Sequence, residues 1–310
     1  MRALTLAEVP GTPAITDVDI PVPAAGELLV RVRASSVNGF DLGTIAGYLQ
    51  GMMEHRFPLI PGRDFAGTVE ATGEGVEGFA VGDEVFGMVA KAHLGNGSFA
   101  PYVTVPAAMG VTHRPEGLPV QEAGALGLAG AAAVAGLDAL GELSGRTVLI
   151  SGATGGVGAF AVQLATARGA QVIATARPGA ETDFVRSLSG SAELVDYSAD
   201  LAAQVHALAP EGVDAVLHLA GDLAELTALV REGGAVASAL ATPEDTEGRG
   251  LTTSMVMSTP TPQLLADLAG RAAAGTLTIP VTAVYDLEQA PEALNAFTTG
   301  KTGKIGLTIN

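Results

Sequence analysis

Cysteine and tryptophan are absent from the 310-residue chain, and 16 lysines and arginines face 33 aspartates and glutamates. Without cysteine there can be no disulfide, no thiol nucleophile and no thiolate zinc site. The net charge of −17 repels a phosphodiester backbone, which excludes nucleic acid as a partner, and it offers nothing to an anionic membrane. Long apolar runs are missing as well. The longest, Ala123–Leu137, is built mostly of Ala and Gly and falls short of the ~20 residues of a bilayer span, so it reads as a buried helix. The opening MRALTLAEVPG has no apolar stretch of signal-peptide length, and a soluble cytoplasmic protein is expected. Aromatics are only 4%, so a core must come from Ala, Val and Leu, for which 48% hydrophobic residues are ample.

The chain length suggests two domains. Up to about residue 115, short β-type runs are broken by Pro and Gly: ELLVRVRASSV (27–37), FAGTVEATG (65–73), DEVFGMVA (83–90) and FAPYVTVPA (99–107). This predicts a compact all-β unit with one short helical segment near Asp41–Tyr48. After a small-residue helix at 121–141 the pattern becomes strand and helix in alternation. Strands are expected at 147–151, 171–176, 193–197, 214–220 and 234–240, and helices near 156–169, 180–189, 198–209 and 222–231. Strands that are apolar throughout are buried on both faces, which makes the sheet parallel and doubly wound. The fold class is therefore α/β, with residues 1–120 and 275–310 forming one domain and 121–274 the nucleotide-binding one.

The stretch LISGATGGVGAFAVQLA (149–165) places three glycines where a buried strand turns into a helix. From Ala153 it reads A-T-G-G-V-G, a G-x-G-x-x-G spacing with Ala in the first slot, Gly155 in the second and Gly158 in the third. The second glycine admits a pyrophosphate to the backbone and the third admits the helix to the sheet. The free N–H groups of Gly156, Val157 and Gly158, with Thr154 beside them, then face the phosphates. An NAD site wants an acid about 20 residues on, at the end of the second strand. Here TARPG places Arg177 there, with no acid before Glu181, and a guanidinium suits a 2′-phosphate. NADP(H) is the expected cofactor. Tyr197 is a candidate to flank the adenine.

These motifs, together with PGRDFAGTVEATGEGV, GSFAPYVTVPA and GKIGLTI, resemble the medium-chain dehydrogenase/reductase superfamily along nearly the whole chain, and within it the zinc-free quinone oxidoreductase branch. The resemblance implies a GroES-like β domain, a Rossmann domain, NADPH as hydride donor, and a homodimer with LTTSMVMS (251–258) as the edge strand. Zinc members carry Cys near Asn38 and Gly-His-Glu where this chain has Gly62-Arg63-Asp64, so no zinc is expected. By the same resemblance Asn38 and Asp41 match positions near the nicotinamide, Tyr48 a tyrosine at the cleft mouth, and Lys304 a segment beside the nicotinamide half, with Lys301 a solvated neighbour. Ala220 and Leu240 lie at strand ends where backbone meets the cofactor.

Asn38 is equally a good helix N-cap, with Asp41 in the first turn. Asp64 reads as structural, and Arg63 as a cleft residue. Met52, His55 and Phe57 are candidates for substrate contact, whereas His218, within a buried strand, reads as a satisfied core histidine. Hydride arriving at a quinone or enone leaves negative charge on its oxygen, and Asn38 or Tyr48 would supply the donor. The expected activity is NADPH-dependent reduction of a quinone or α,β-unsaturated carbonyl. The alternatives are an enoyl reductase for acyl thioester or polyketide intermediates and, further off, a non-catalytic NADPH-binding protein.

Overall fold

The run Glu27–Val37 is buried at Leu28–Val30, alternates exposed and buried from Arg31 to Arg33, and is buried again from Ala34 to Val37. In the computed structural model of the chain, which describes residues 1–300 and 302–310, it is the longest strand. Lys301 lies outside the described residues. The chain divides into two compact units, Met1–Ala129 with Thr259–Asn310, and Gly130–Ser258.

The first unit begins with β1 (Arg2–Thr5), β2 (Ala14–Asp17), β3 (Glu27–Val37), α1 (Gly39–Ile45), β4 (Glu54–Ile60), β5 (Asp64–Thr72), β6 (Glu84–Met88), β7 (His93–Asn96), β8 (Tyr102–Pro106) and β9 (Val111–His113). Helix α2 (Val120–Ala123) follows, and α3 (Gly127–Ala139) carries the chain into the second unit. The single helix expected at 121–141 is thus two. The first ends at Gly124, where an added Cβ would lie 2.8–2.9 Å from Ala34, so the chain turns in contact with β3.

The second unit comprises β10 (Thr147–Ile150), α4 (Gly156–Ala167), β11 (Gln171–Thr175), α5 (Ala180–Leu188), β12 (Glu193–Val195), α6 (Leu201–Leu208), β13 (Val213–His218), α7 (Leu223–Ala228), β14 (Val230–Ser238) and β15 (Thr252–Met255). Its six strands pair in parallel in the order β12-β11-β10-β13-β14-β15. Leu149, Ile173, Val216 and Val236 stand side by side in register within its core. The strand order reverses between β10 and β13, and a doubly wound sheet opens a ligand crevice at the carboxyl ends there.

The chain then returns to the first unit through α8 (Pro262–Ala273), β16 (Val281–Asp286), a 3₁₀ turn at Leu287–Gln289, α9 (Ala290–Thr298) and β17 (Lys304–Thr308). Strand β17 pairs antiparallel with β3, completing a sheet ordered β16-β17-β3-β5-β6-β9, with β8 also on β3. Ile305 and Leu307 are fully buried, and burial of this kind contributes roughly 1.5–3 kcal/mol per side chain. The unit boundaries fall at 129/130 and 258/259, where 120/121 and 274/275 were expected. The reason is packing: α2 lies on β3 and β5, and α8 on β9. Strands β1, β2, β4, β7 and β9 are short or paired at the margin, and carry no strong alternation in sequence.

Candidate functional site

In the second unit the carboxyl end of β10 runs into a turn whose backbone favours glycine. Gly152 has φ +66°, and its N–H donates to Thr175 Oγ1 at 3.0 Å. Gly155 is the N-cap of α4, and no side chain caps the helix, so the first-turn N–H groups lack the usual side-chain acceptor. A Cβ on Gly158 would sit 2.2 Å from the Gly152 carbonyl oxygen, so this glycine lets α4 pack against the turn. The spacing read from Ala153 leaves out Gly152, the residue in the left-handed region; Ala153 itself is buried.

A cavity of about 800 Å³ opens beside this turn, lined in part by Ser151, Gly152, Thr154, Thr175, Tyr197 and Ala220. It is large enough for a nucleotide. Its far wall is braced by hydrogen bonds absent from any local motif. Ser151 Oγ accepts from Leu219 N at 3.0 Å and Ala220 N at 3.4 Å. Ser238 Oγ accepts from Leu240 N at 3.1 Å and Ala241 N at 3.2 Å, so its own hydrogen points to His218 Nδ1 at 2.8 Å. His218 Nε2–H then donates to Gly221 O at 3.1 Å. This buried histidine has a partner at each ring nitrogen and ties the 219–222 loop to the end of β14.

At the end of β11, Arg177 is exposed and paired with Glu181, its Nη2 2.6 Å from Oε1. The guanidinium lies 5.6 Å from the centroid of the Tyr197 ring, and the Tyr197 hydroxyl donates to Glu181 at 3.1 Å. The turn, the uncapped helix, the cavity and the cation fit a nicotinamide dinucleotide.

The first unit carries a different cluster. Asp64, fully buried at the start of β5, accepts four hydrogen bonds on its carboxylate: Ser36 Oγ at 2.6 Å, Asn38 Nδ2 at 2.9 Å and Lys304 Nζ at 3.3 Å on Oδ2, and Leu128 N at 2.6 Å on Oδ1. Lys304 Nζ also donates to Asn38 Oδ1 at 2.5 Å and Val37 O at 3.5 Å. All three ammonium hydrogens have protein acceptors, and the side chain is 2% exposed. Lys304, expected beside the nicotinamide half, thus lies in this buried cluster with its ammonium on Asp64 and Asn38.

Asn38 does precede α1, yet its amide turns away from the helix and makes no cap bond. Asp41 supplies the reciprocal half, accepting Asn38 N at 2.9 Å on Oδ2 and Gly62 N at 3.2 Å on Oδ1. Burial is the largest influence on Asp41 and pushes its carboxyl up to about 7, with Asp64 adding to the rise and Lys304 and Arg63 opposing it. Asp41, expected near the nicotinamide, is buried with its oxygens on backbone N–H donors.

Arg63 stacks its guanidinium 4.6 Å from the Phe40 ring centroid, and burial pulls its affinity for the proton down. The cavity beside it, lined by Asp41 and Arg63, measures only 20 Å³, about one water. Tyr48 and Met52 are exposed and Phe57 partly so, while His55 is anchored through Nδ1 to Met53 O at 2.9 Å. Among the described residues no group of three His, Asp or Glu side chains converges. An ammonium already occupies the Asp64 carboxylate and a guanidinium follows Gly62. This donor set does not fit zinc.

The family description "Alcohol dehydrogenase GroES-like domain" matches residues 24–116, and "Zinc-binding dehydrogenase" matches 189–305. The chain is 35% identical over 213 residues to the chloroplast envelope quinone oxidoreductase homolog of Arabidopsis thaliana, covering 66% of this chain and 63% of that protein. It is 39% identical over 209 residues to a mycocerosic acid synthase-like polyketide synthase of Mycobacterium tuberculosis, covering 67% of this chain and 10% of that protein. The chain thus spans less than two thirds of the length of these curated relatives. Among solved structures, an alcohol dehydrogenase superfamily protein from Novosphingobium aromaticivorans superposes with a TM-score of 0.87 at 28% identity, covering 100% of both chains.

Proposed function

We propose, for a chain that belongs to the medium-chain dehydrogenase/reductase superfamily, an NADP(H)-dependent, zinc-independent oxidoreductase that reduces a quinone or an α,β-unsaturated carbonyl compound. The observation that carries the reading is the glycine turn: the left-handed Gly152, the uncapped Gly155 and the tightly approached Gly158, beside a nucleotide-sized cavity. Gly152, Thr154 and the N–H groups of Gly156, Val157 and Gly158 would hold the pyrophosphate. Arg177 would meet the 2′-phosphate and Tyr197 would flank the adenine. The backbone at Ala220 and Leu240 would line the nicotinamide half. The bound reduced nicotinamide supplies a hydride.

The protein's own task is to stabilise charge on the substrate oxygen and return a proton. Tyr48, exposed and carrying a phenolic donor, is assigned that role. Asn38 is assigned to positioning: its amide is held by Lys304 and Asp64, which fixes the strand end leading into α1. Met52, His55 and Phe57 would shape the substrate mouth, with Met52 supplying adaptable apolar contact. Strand β15 lies at the edge of the second unit's sheet, which suits it to pair with a second copy in a homodimer.

The test is NADPH oxidation followed by absorbance against ortho- and para-quinones, simple enones and an enoyl thioester, with NADH in parallel. Turnover on quinones or enones supports the reading. Turnover confined to the enoyl thioester favours the second reading, an enoyl reductase, which the stretch shared with the polyketide synthase supports. Tight NADPH binding with no turnover on any acceptor overturns both.

A further inference from the structure

Thr175-Ala176-Arg177 lacks the acid that an NAD site carries at this strand end, yet a carboxylate arrives there from the following helix. Glu181, in the first turn of α5, folds back on the cation four residues before it. Its Oε2 accepts the Arg177 backbone N–H at 2.9 Å, and its Oε1 accepts Nε at 2.8 Å and lies 2.6 Å from Nη2. The Tyr197 hydroxyl donates to the same Oε1 at 3.1 Å. The Glu181 side chain is 14% exposed against 59% for Arg177, so the carboxylate is tucked behind a guanidinium that faces outward. The inner edge of the fork, Nε and one Nη, is thereby taken, and a bidentate grip on a phosphate needs such an edge.

We propose that Glu181 is a cofactor-selectivity residue that competes with the ribose 2′-phosphate for Arg177 and so narrows the preference for NADPH over NADH. The inference rests on the reading that Arg177 meets the 2′-phosphate. A 2′-phosphate set beside Arg177 meets a carboxylate of like sign held at hydrogen-bond distance. Either the repulsion remains, or Glu181 swings out and gives up its bonds to Arg177 and Tyr197. Both routes cost affinity for NADPH and cost nothing for NADH, which lacks the phosphate.

Calorimetric binding of 2′,5′-ADP and 5′-AMP, fragments that differ only by the 2′-phosphate, separates these effects from turnover. Wild type is expected to bind 2′,5′-ADP only a few-fold more tightly than 5′-AMP. Glu181→Gln and Glu181→Ala should tighten 2′,5′-ADP by about five- to tenfold while moving 5′-AMP less than about twofold, the change expected for relief of roughly 1 kcal/mol of competition. Arg177→Ala should make the two fragments equal. If 2′,5′-ADP binds the Glu181 variants no better than wild type, or less well, then Glu181 orients Arg177 and the proposal falls while the Arg177 reading stands. If Arg177→Ala keeps the preference for 2′,5′-ADP, the reading of Arg177 falls, and the proposal with it.

Discussion

Each unit holds a carboxylate paired with a cation, and the two pairs behave oppositely. Asp64–Lys304 is sealed, with side chains 0% and 2% exposed, and its donors and acceptors come from β3, β5 and β17 together with Asn38 and the Leu128 backbone of α3. Arg177–Glu181 lies at the surface, four residues apart on one stretch of chain, with most of its guanidinium in water. A buried pair gains little over an apolar filling but cannot lose one member without stranding the other, whereas an exposed pair can exchange partners at small cost. The first is suited to holding a frame and the second to meeting a ligand.

The largest expected break of this contrast comes from Asp64→Asn, which leaves the Lys304 ammonium buried without its counter-charge. Stability should fall by about 3–5 kcal/mol, read as a lower urea midpoint with unchanged slope. Adding Lys304→Met should restore part of the loss, because the two sites share one interaction.

Asp41 sharpens the contrast with a pH effect of its own. Its folded carboxyl titrates near 7, against 3.8 for the ordinary group, so between those values the folded chain holds a proton that the unfolded chain has released. Stability therefore declines as pH rises through that window, by up to about 4 kcal/mol, and the loss is complete above it. Urea unfolding from pH 4 to 8 should show this decline in wild type and lack it in Asp41→Asn. Glu181 runs the other way. Burial alone would raise its carboxyl, but the hydrogen bonds from Arg177 and Tyr197 hold it lower than usual, so its contribution is present at neutral pH and fades on acidification.

A smaller effect should follow Gly158→Ala, whose Cβ meets the Gly152 carbonyl. NADPH and NADH binding should weaken together, by roughly tenfold or about 1.4 kcal/mol, because the turn is blind to the 2′ position. Smallest is the stability change of Glu181→Ala, within about 1 kcal/mol by thermal unfolding, as exposed pairs are.

The same contrast explains what was legible in sequence. The glycine turn could be found because sterics dictate its spacing, and the parallel strands because burial on both faces leaves unbroken apolar runs. Arg177 was visible as a cation at a strand end; its pairing with Glu181 was not, because Arg177 precedes α5 and the helical i, i+4 spacing does not extend to it. The Asp64–Lys304 bond was out of reach of any local pattern: 240 residues separate its ends, and Lys304 reads as a residue of the nicotinamide side rather than a partner of Asp64 until β17 is placed against β3. Asn38 was legible only in part: it is the N-cap residue of α1, with Asp41 accepting its N–H, but its side chain is held elsewhere. The pull of Lys304 and Asp64 on its amide outweighs a cap bond to its own helix.

That distance has a consequence for how the protein is made. As the chain leaves the ribosome from its N-terminal end, the carboxylate at position 64 emerges long before the ammonium at 304, and the whole Gly130–Ser258 unit is synthesised in between. Until β17 pairs with β3, the Ala34–Val37 edge has no neighbour on that side and Asp64 lacks its Lys304 partner. The Gly130–Ser258 unit pairs its six strands only with one another, so its sheet does not wait for β17, whereas the first unit's sheet is closed only when β17 pairs with β3.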